Sequence, residues 1–156
     1  MPRISNIEVL QQVEQSVLQI ETKTDMQGLS QVIGSSFMKI GTYLKELGES
    51  PTDIPYVCYQ GFESMDEKNI HVIIGFPVAK PLPDIDNIKS VVIPARKVIF
   101  CMYRGEYEAM APVYGEMMTW MKDKGYKVID TSYEYYYNEP DSSPENLLTK
   151  IIMPLE

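Results

Sequence analysis

Histidine is nearly absent from this chain: His71 is the only one in 156 residues, beside two cysteines and a single tryptophan. Cys58 and Cys101 stand far apart and outside any CxxC spacing, so the sequence offers no ligand set for zinc or iron and no redox pair. They read as reduced cysteines inside strands, and neither a metal nor a cofactor is expected. A Ser-His-Asp or Cys-His device would have to use His71, and no nucleophile elbow or Gly-rich phosphate loop accompanies it. No apolar run approaches membrane-spanning length, and the opening "MPRISNIEVL" lacks the charged and apolar regions of a leader, so a cytoplasmic protein with no membrane partner is expected. Basic residues are also few, 14 against 22 acidic for a formal charge of -8, and they are scattered. Counterion release cannot drive nucleic-acid binding by such a chain, which argues against a direct nucleic-acid partner. Its negative field suits a positively charged organic ligand better than a phosphorylated one, although the same charge also serves solubility alone.

What is present is enough apolar residue to bury a core without staples, and the length fits one domain spanning 1–156. Residues Gln12 to Glu21 alternate as a strand, and Met26 to Leu47 carries a helical stripe at Leu29, Val32, Ile33, Phe37, Ile40, Leu44 and Leu47, stopped by Gly48. "YVCYQGF" and "NIHVIIGFPV" form an expected hairpin around a polar loop. A proline-bearing stretch, "AKPLPDIDNIKSVVIPA", reads as a connector. Then the order restarts with the strand "KVIFCMY", a helix from about Glu106 to Lys124 closed by Gly125, and the strands "TSYEYYYN" and "LLTKIIMPL".

An offset of 77 residues superimposes the halves, matching Gly48 with Gly125, Tyr56 with Tyr133, Tyr59 with Tyr136, Asn69 with Asn146, Ile74 with Ile151 and Pro77 with Pro154. Upstream the first helix is about one turn longer, an insertion that keeps its buried face in phase. The expectation is an α+β fold of duplicated β-α-β-β halves, approximately 12–78 and 97–155, forming one antiparallel sheet with two helices on one face and a central ligand groove. Val57 in the first half corresponds to Glu134 in the second. If the face they share is covered by helices, a carboxylate has replaced an apolar residue, which is unfavourable unless something compensates it.

"YRGEY" (Tyr103 to Tyr107) before the second helix, "TWMKDKGY" at its end, "YEYYYNEP" and "LLTKIIMPLE" together resemble the GyrI-like small-molecule-binding family, the effector-binding domain of AraC-type and multidrug-sensing regulators. The resemblance covers essentially the whole chain. It implies a duplicated, SHS2-like fold with a cavity in which a glutamate matching Glu134 meets cationic or polar parts of ligands, ringed by aromatic residues. By the same motifs Trp120 and Tyr136 are pocket candidates; Tyr59 follows from the internal repeat, and Tyr103 occupies a position where many relatives carry histidine or another polar residue. Family members include free-standing proteins, and this chain looks like one; others are fused behind DNA-binding domains, modulate gyrase, or hydrolyse cyclopropane-containing genotoxic compounds.

A partly desolvated carboxylate among aromatic rings suits a flat aromatic cation, since cation-π contact adds about 0.5–2 kcal/mol per ring without demanding one ligand shape. Methionines Met110, Met117, Met118 and Met121 on the second helix can repack around different guests, or form plain core. The residues leave three functions open. One is non-catalytic binding of a drug-like cation for sensing or sequestration at Glu134, Tyr136, Trp120, Tyr59 and Tyr103. Another is a hydrolase in which Glu134 and Tyr136 act as acid, base or oxyanion donor on a cyclopropanoid electrophile. The third is modulation of DNA gyrase or partnership with a separate regulator.

Overall fold

The computed structural model describes residues 3–127, 129–138 and 142–156. Among the described residues eight strands run antiparallel: β1 (Glu8–Gln12), β2 (Gln15–Thr24), β3 (Tyr56–Gln60), β4 (Ile70–Val78), β5 (Lys89–Ile93), β6 (Arg96–Arg104), β7 (Thr131–Tyr136) and β8 (Leu148–Pro154). The same described residues hold two α-helices, α1 (Leu29–Glu46) and α2 (Ala111–Asp123), in an α+β arrangement. It divides into two compact units, Val13–Ala95 and Met1–Gln12 with Arg96–Glu156.

In the unit Val13–Ala95 the strand order is β3-β4-β2-β5. Its core joins Ile40, Tyr43 and Leu44 of α1 to Leu18, Ile20 and Val78 of the strands. Those helical positions fall on one stripe because residues three and four apart share a face. The proline-bearing connector is not a plain linker: Ile88 lies in the same core, Leu82 packs against it, and "KSVVI" pairs with β2 as β5. Its β-branched run supplies strand propensity that the surrounding prolines obscure in the sequence. The Tyr43 hydroxyl donates to the Pro83 carbonyl at 2.7 Å and ties this segment down.

The other unit orders its strands β1-β6-β8-β7. Its N-terminal segment contributes β1 and a clip in which Arg3 reaches Glu116 of α2 at 2.6 Å and Ser5 accepts from the Met102 amide at 2.8 Å. Val113, Met117 and Met121 form the buried stripe of α2. Both cysteines are free and buried, and burial pushes the Cys101 thiol up to about 11, which keeps it protonated and inert.

The units run through strand, helix, strand and strand in the same sequence, and their registers correspond. The pairs Tyr56↔Gly75, Val57↔Ile74 and Tyr59↔Val72 reappear as Tyr133↔Ile152, Glu134↔Ile151 and Tyr136↔Thr149. Leu18↔Phe76 is matched by Ile99↔Met153, with the first strand displaced by one further helical turn. Both helices end alike: Gly48 (φ 70) and Gly125 (φ 78) adopt the left-handed conformation, with their amides bonded to Lys45 and Lys122 carbonyls and the next amides to Leu44 and Met121. This is a Schellman closure, for which glycine avoids the Cβ penalty.

Candidate functional site

Alternation along β7 sorts its side chains. Ser132, Glu134 and Tyr136 share one face with Thr149 and Ile151 of β8 and with Cys101 and Tyr103 of β6, because residues paired across an antiparallel ladder point the same way. Tyr133 and Tyr135 take the opposite face. There Arg96 lies 5.0 Å over the Tyr133 ring and Lys150 lies 4.8 Å over the Tyr135 ring. Arg96 and Lys150 are thus held on aromatic faces away from the carboxylate, while Arg3, bridged to Tyr103 on the Glu134 face, is engaged by Glu116.

Glu134 is only 9% exposed, and among the described residues it enters no ion pair. Its carboxylate accepts from two phenols: Tyr114 of α2 at 2.5 Å on Oε2 and Tyr136 at 2.7 Å on Oε1. The Tyr114 hydroxyl also meets Ser132 Oγ at 2.9 Å, so one phenol links the helix to two positions of the strand. Burial raises the Glu134 carboxyl above its ordinary range, and the bonds from Tyr114 and Tyr136 pull it back only in part. A carboxylate accommodates about four hydrogen bonds, so two phenols leave capacity for a guest.

Around this centre the aromatic side chains are fixed in turn. The Tyr107 ring stands edge-on to Tyr136 with centroids 5.3 Å apart, and Asn138 donates to the Tyr107 hydroxyl at 2.7 Å while accepting from the Leu148 amide at 2.6 Å. Thr149, opposite Tyr136, is wholly buried, and its hydroxyl has no hydrogen-bond partner among the described residues. No three His, Cys, Asp or Glu side chains converge as a metal site among the described residues. A site of this kind offers a charge, several ring faces and hydroxyls within one water-poor neighbourhood.

The description of a GyrI-like small molecule binding domain matches residues 5–156. The chain belongs to that family.

Solved structures agree on the fold. The GyrI-like chain superposes on EcmrR, seen in an EcmrR–DNA complex, with a TM-score of 0.82 at 21% identity, covering 98% of this chain and 58% of that one. A hydrolase from Listeria innocua gives 0.73 at 15% identity, with 100% and 94% covered. SAV2435 bound to tetraphenylphosphonium gives 0.66 at 14% identity, with 97% and 94% covered. No curated protein matches the sequence.

Of the side chains singled out in the sequence, Glu134 and Tyr136 of this GyrI-like domain are in direct contact. Tyr103 shares their face two strands away, and its hydroxyl donates to the Glu106 carbonyl at 2.5 Å rather than to the carboxylate. Trp120 stacks on Tyr126 at 5.9 Å with Lys124 near the ring. Six residues beyond Tyr114, it lies about 9 Å further along the helix and about 120° around it, so the structure does not bring it to Glu134. Beside that stack, an open hollow of about 460 Å³ is lined by Met118, Thr119, Lys122, Gly125 and Tyr126. Tyr59, the Tyr136 counterpart in the unit Val13–Ala95, is buried and pairs with Val72. Glu139 and Pro140 of the quoted motif lie outside the described residues.

Tyr114 is the contact that sequence reasoning missed. It sits three residues before Met117 and seven before Met121, on the edge of the stripe that faces the strands. That spacing was the available signal. Tyr107, Asn138 and Thr149 carried none, because their roles come from tertiary register.

Proposed function

We propose that this GyrI-like domain binds lipophilic organic cations, aromatic ones foremost, at Glu134, for sensing or sequestration. The observation that carries the reading is a buried carboxylate bonded to two phenols and to no cation among the described residues. Leaving such a group ionised without a counter-charge is expensive, and a guest that brings positive charge and ring surface offsets that cost. The matching registers of the two units support a duplicated chain in which Glu134 replaces the apolar Val57. A relative seen with tetraphenylphosphonium and another seen in a DNA complex are consistent with cation binding linked to regulation.

Equilibrium dialysis with tetraphenylphosphonium at neutral pH tests the reading. Saturable uptake is expected, with the cation recovered at unchanged mass. Glu134→Gln should weaken it about 10- to 100-fold, which corresponds to about 1.4–2.8 kcal/mol of charge–charge attraction lost in a poorly solvated site. Equal uptake by both proteins would remove Glu134 from the site.

One contact favours a second reading. Tyr136 donates to Glu134 at 2.7 Å, which pairs a carboxyl of raised pKa with a phenol able to steady a developing oxyanion. A hydrolase of electrophilic compounds built on this pair would turn over a cyclopropanoid and lose turnover with either Glu134→Gln or Tyr136→Phe.

A further inference from the structure

The row of side chains that crosses β6, β8 and β7 at Tyr103, Thr149 and Tyr136 holds three hydroxyls on the face of Glu134. Two of them are committed: Tyr103 donates to the Glu106 carbonyl at 2.5 Å and Tyr136 to the Glu134 carboxylate at 2.7 Å. The middle one, Thr149 Oγ1, is fully buried and without a partner among the described residues. Buried hydroxyls are almost always bonded, so an orphan beside a candidate site marks a contact that something else completes. The corresponding position in the other unit is Val72, buried and apolar, so the fold itself requires no hydroxyl here.

We infer that Thr149 is a specificity-determining contact of the Glu134 site, one that selects cations carrying a hydrogen-bonding oxygen or nitrogen a short distance from the positive centre. This rests on the cation-binding reading above and narrows it. Glu134 and Thr149 are diagonal neighbours on adjacent strands, a relation that places Cα atoms about 7–8 Å apart. One guest of modest size spans that separation once the side chains that cover Thr149 make room for it. A purely hydrocarbon cation engages the carboxylate and leaves the threonine hydroxyl as it found it. A guest with a polar arm gains one more bond.

Two matched probes test the inference on the whole chain: butyltriphenylphosphonium and 3-hydroxypropyltriphenylphosphonium, which differ in a terminal methyl against a hydroxyl. The wild type should bind the hydroxylated probe about 3- to 10-fold more tightly, the worth of one net hydrogen bond. Thr149→Val keeps the shape, removes the partner and should reverse the order, Thr149→Ser should restore it, and Glu134→Gln should weaken both probes by one common factor. An order unchanged in Thr149→Val, or equal binding of the two probes by the wild type, overturns the role of Thr149 and leaves cation binding at Glu134 intact. If neither probe binds the wild type, both readings fall. Thermal denaturation supplies a readout independent of any guest: deleting an unpaired buried hydroxyl should leave the midpoint of Thr149→Val unchanged or higher. A drop of several degrees, or a variant that does not fold, would show the hydroxyl already paired and overturn the inference.

Discussion

Replacing Glu134 by glutamine removes one negative charge and keeps the side chain's outline, so it isolates the electrostatic cost of the buried acid. Geometry permits the exchange. The amide oxygen can accept from Tyr136, while the Tyr114 hydroxyl, already 2.9 Å from Ser132 Oγ, can turn its proton there and accept from the amide nitrogen. In the wild type the folded carboxyl holds its proton more tightly than in the unfolded chain, where the value is about 4.3. The stability this proton contributes is fully present below the unfolded value and is lost as pH rises through the folded one. Each unit between the two values is worth about 1.4 kcal/mol. Glutamine does not titrate. Unfolding free energies from urea denaturation between pH 4 and pH 8.5 should thus show the variant gaining on the wild type with rising pH and then levelling off. A difference that stays flat, or that grows in favour of the wild type at high pH, would refute the claim that burial dominates this carboxyl.

Other expectations follow from the same geometry. Tyr114→Phe removes a bond that lowers the Glu134 pKa, so the pH at which tetraphenylphosphonium binding is half-maximal should move up and affinity at neutral pH should fall about 2- to 10-fold, as dialysis across pH would show. Trp120→Ala disturbs the stack on Tyr126 and should leave cation affinity within about twofold while lowering the denaturation midpoint. Gly105 has φ 142 and an added Cβ would lie 2.8 Å from the Tyr103 hydroxyl, so Gly105→Ala should destabilise by about 1–3 kcal/mol in chemical denaturation. Gly115 on α2 has open space around it, and Gly115→Ala should stabilise by about 0.5–1 kcal/mol.

Periodicity made most of the elements readable. The stripe of α1, the terminal glycines Gly48 and Gly125, and the hairpin strands all follow from local pattern, and the offset of 77 residues is also the spacing between the pairs Val57↔Ile74 and Glu134↔Ile151. Two elements were not legible. β1 and β5 are short strands whose place depends on partners distant in sequence, β6 for one and β2 for the other. In the site, Glu134 and Tyr136 were visible because they sit two apart on one strand. Tyr114 is brought to them only by the docking of α2, and Thr149 only by the β7–β8 register. Trp120 came forward through the motif resemblance, and in the structure its ring stacks on Tyr126.

The central claim, that a tyrosine-held buried acid receives a cation, is tested most directly by proton linkage. Tetraphenylphosphonium titrated calorimetrically in buffers of different ionisation heat should release protons on binding, because the guest favours the ionised carboxylate. That release should grow as pH is lowered towards the raised pKa of Glu134, and it should vanish in Glu134→Gln. Binding of equal strength in both proteins, without proton release at any pH, would contradict the account.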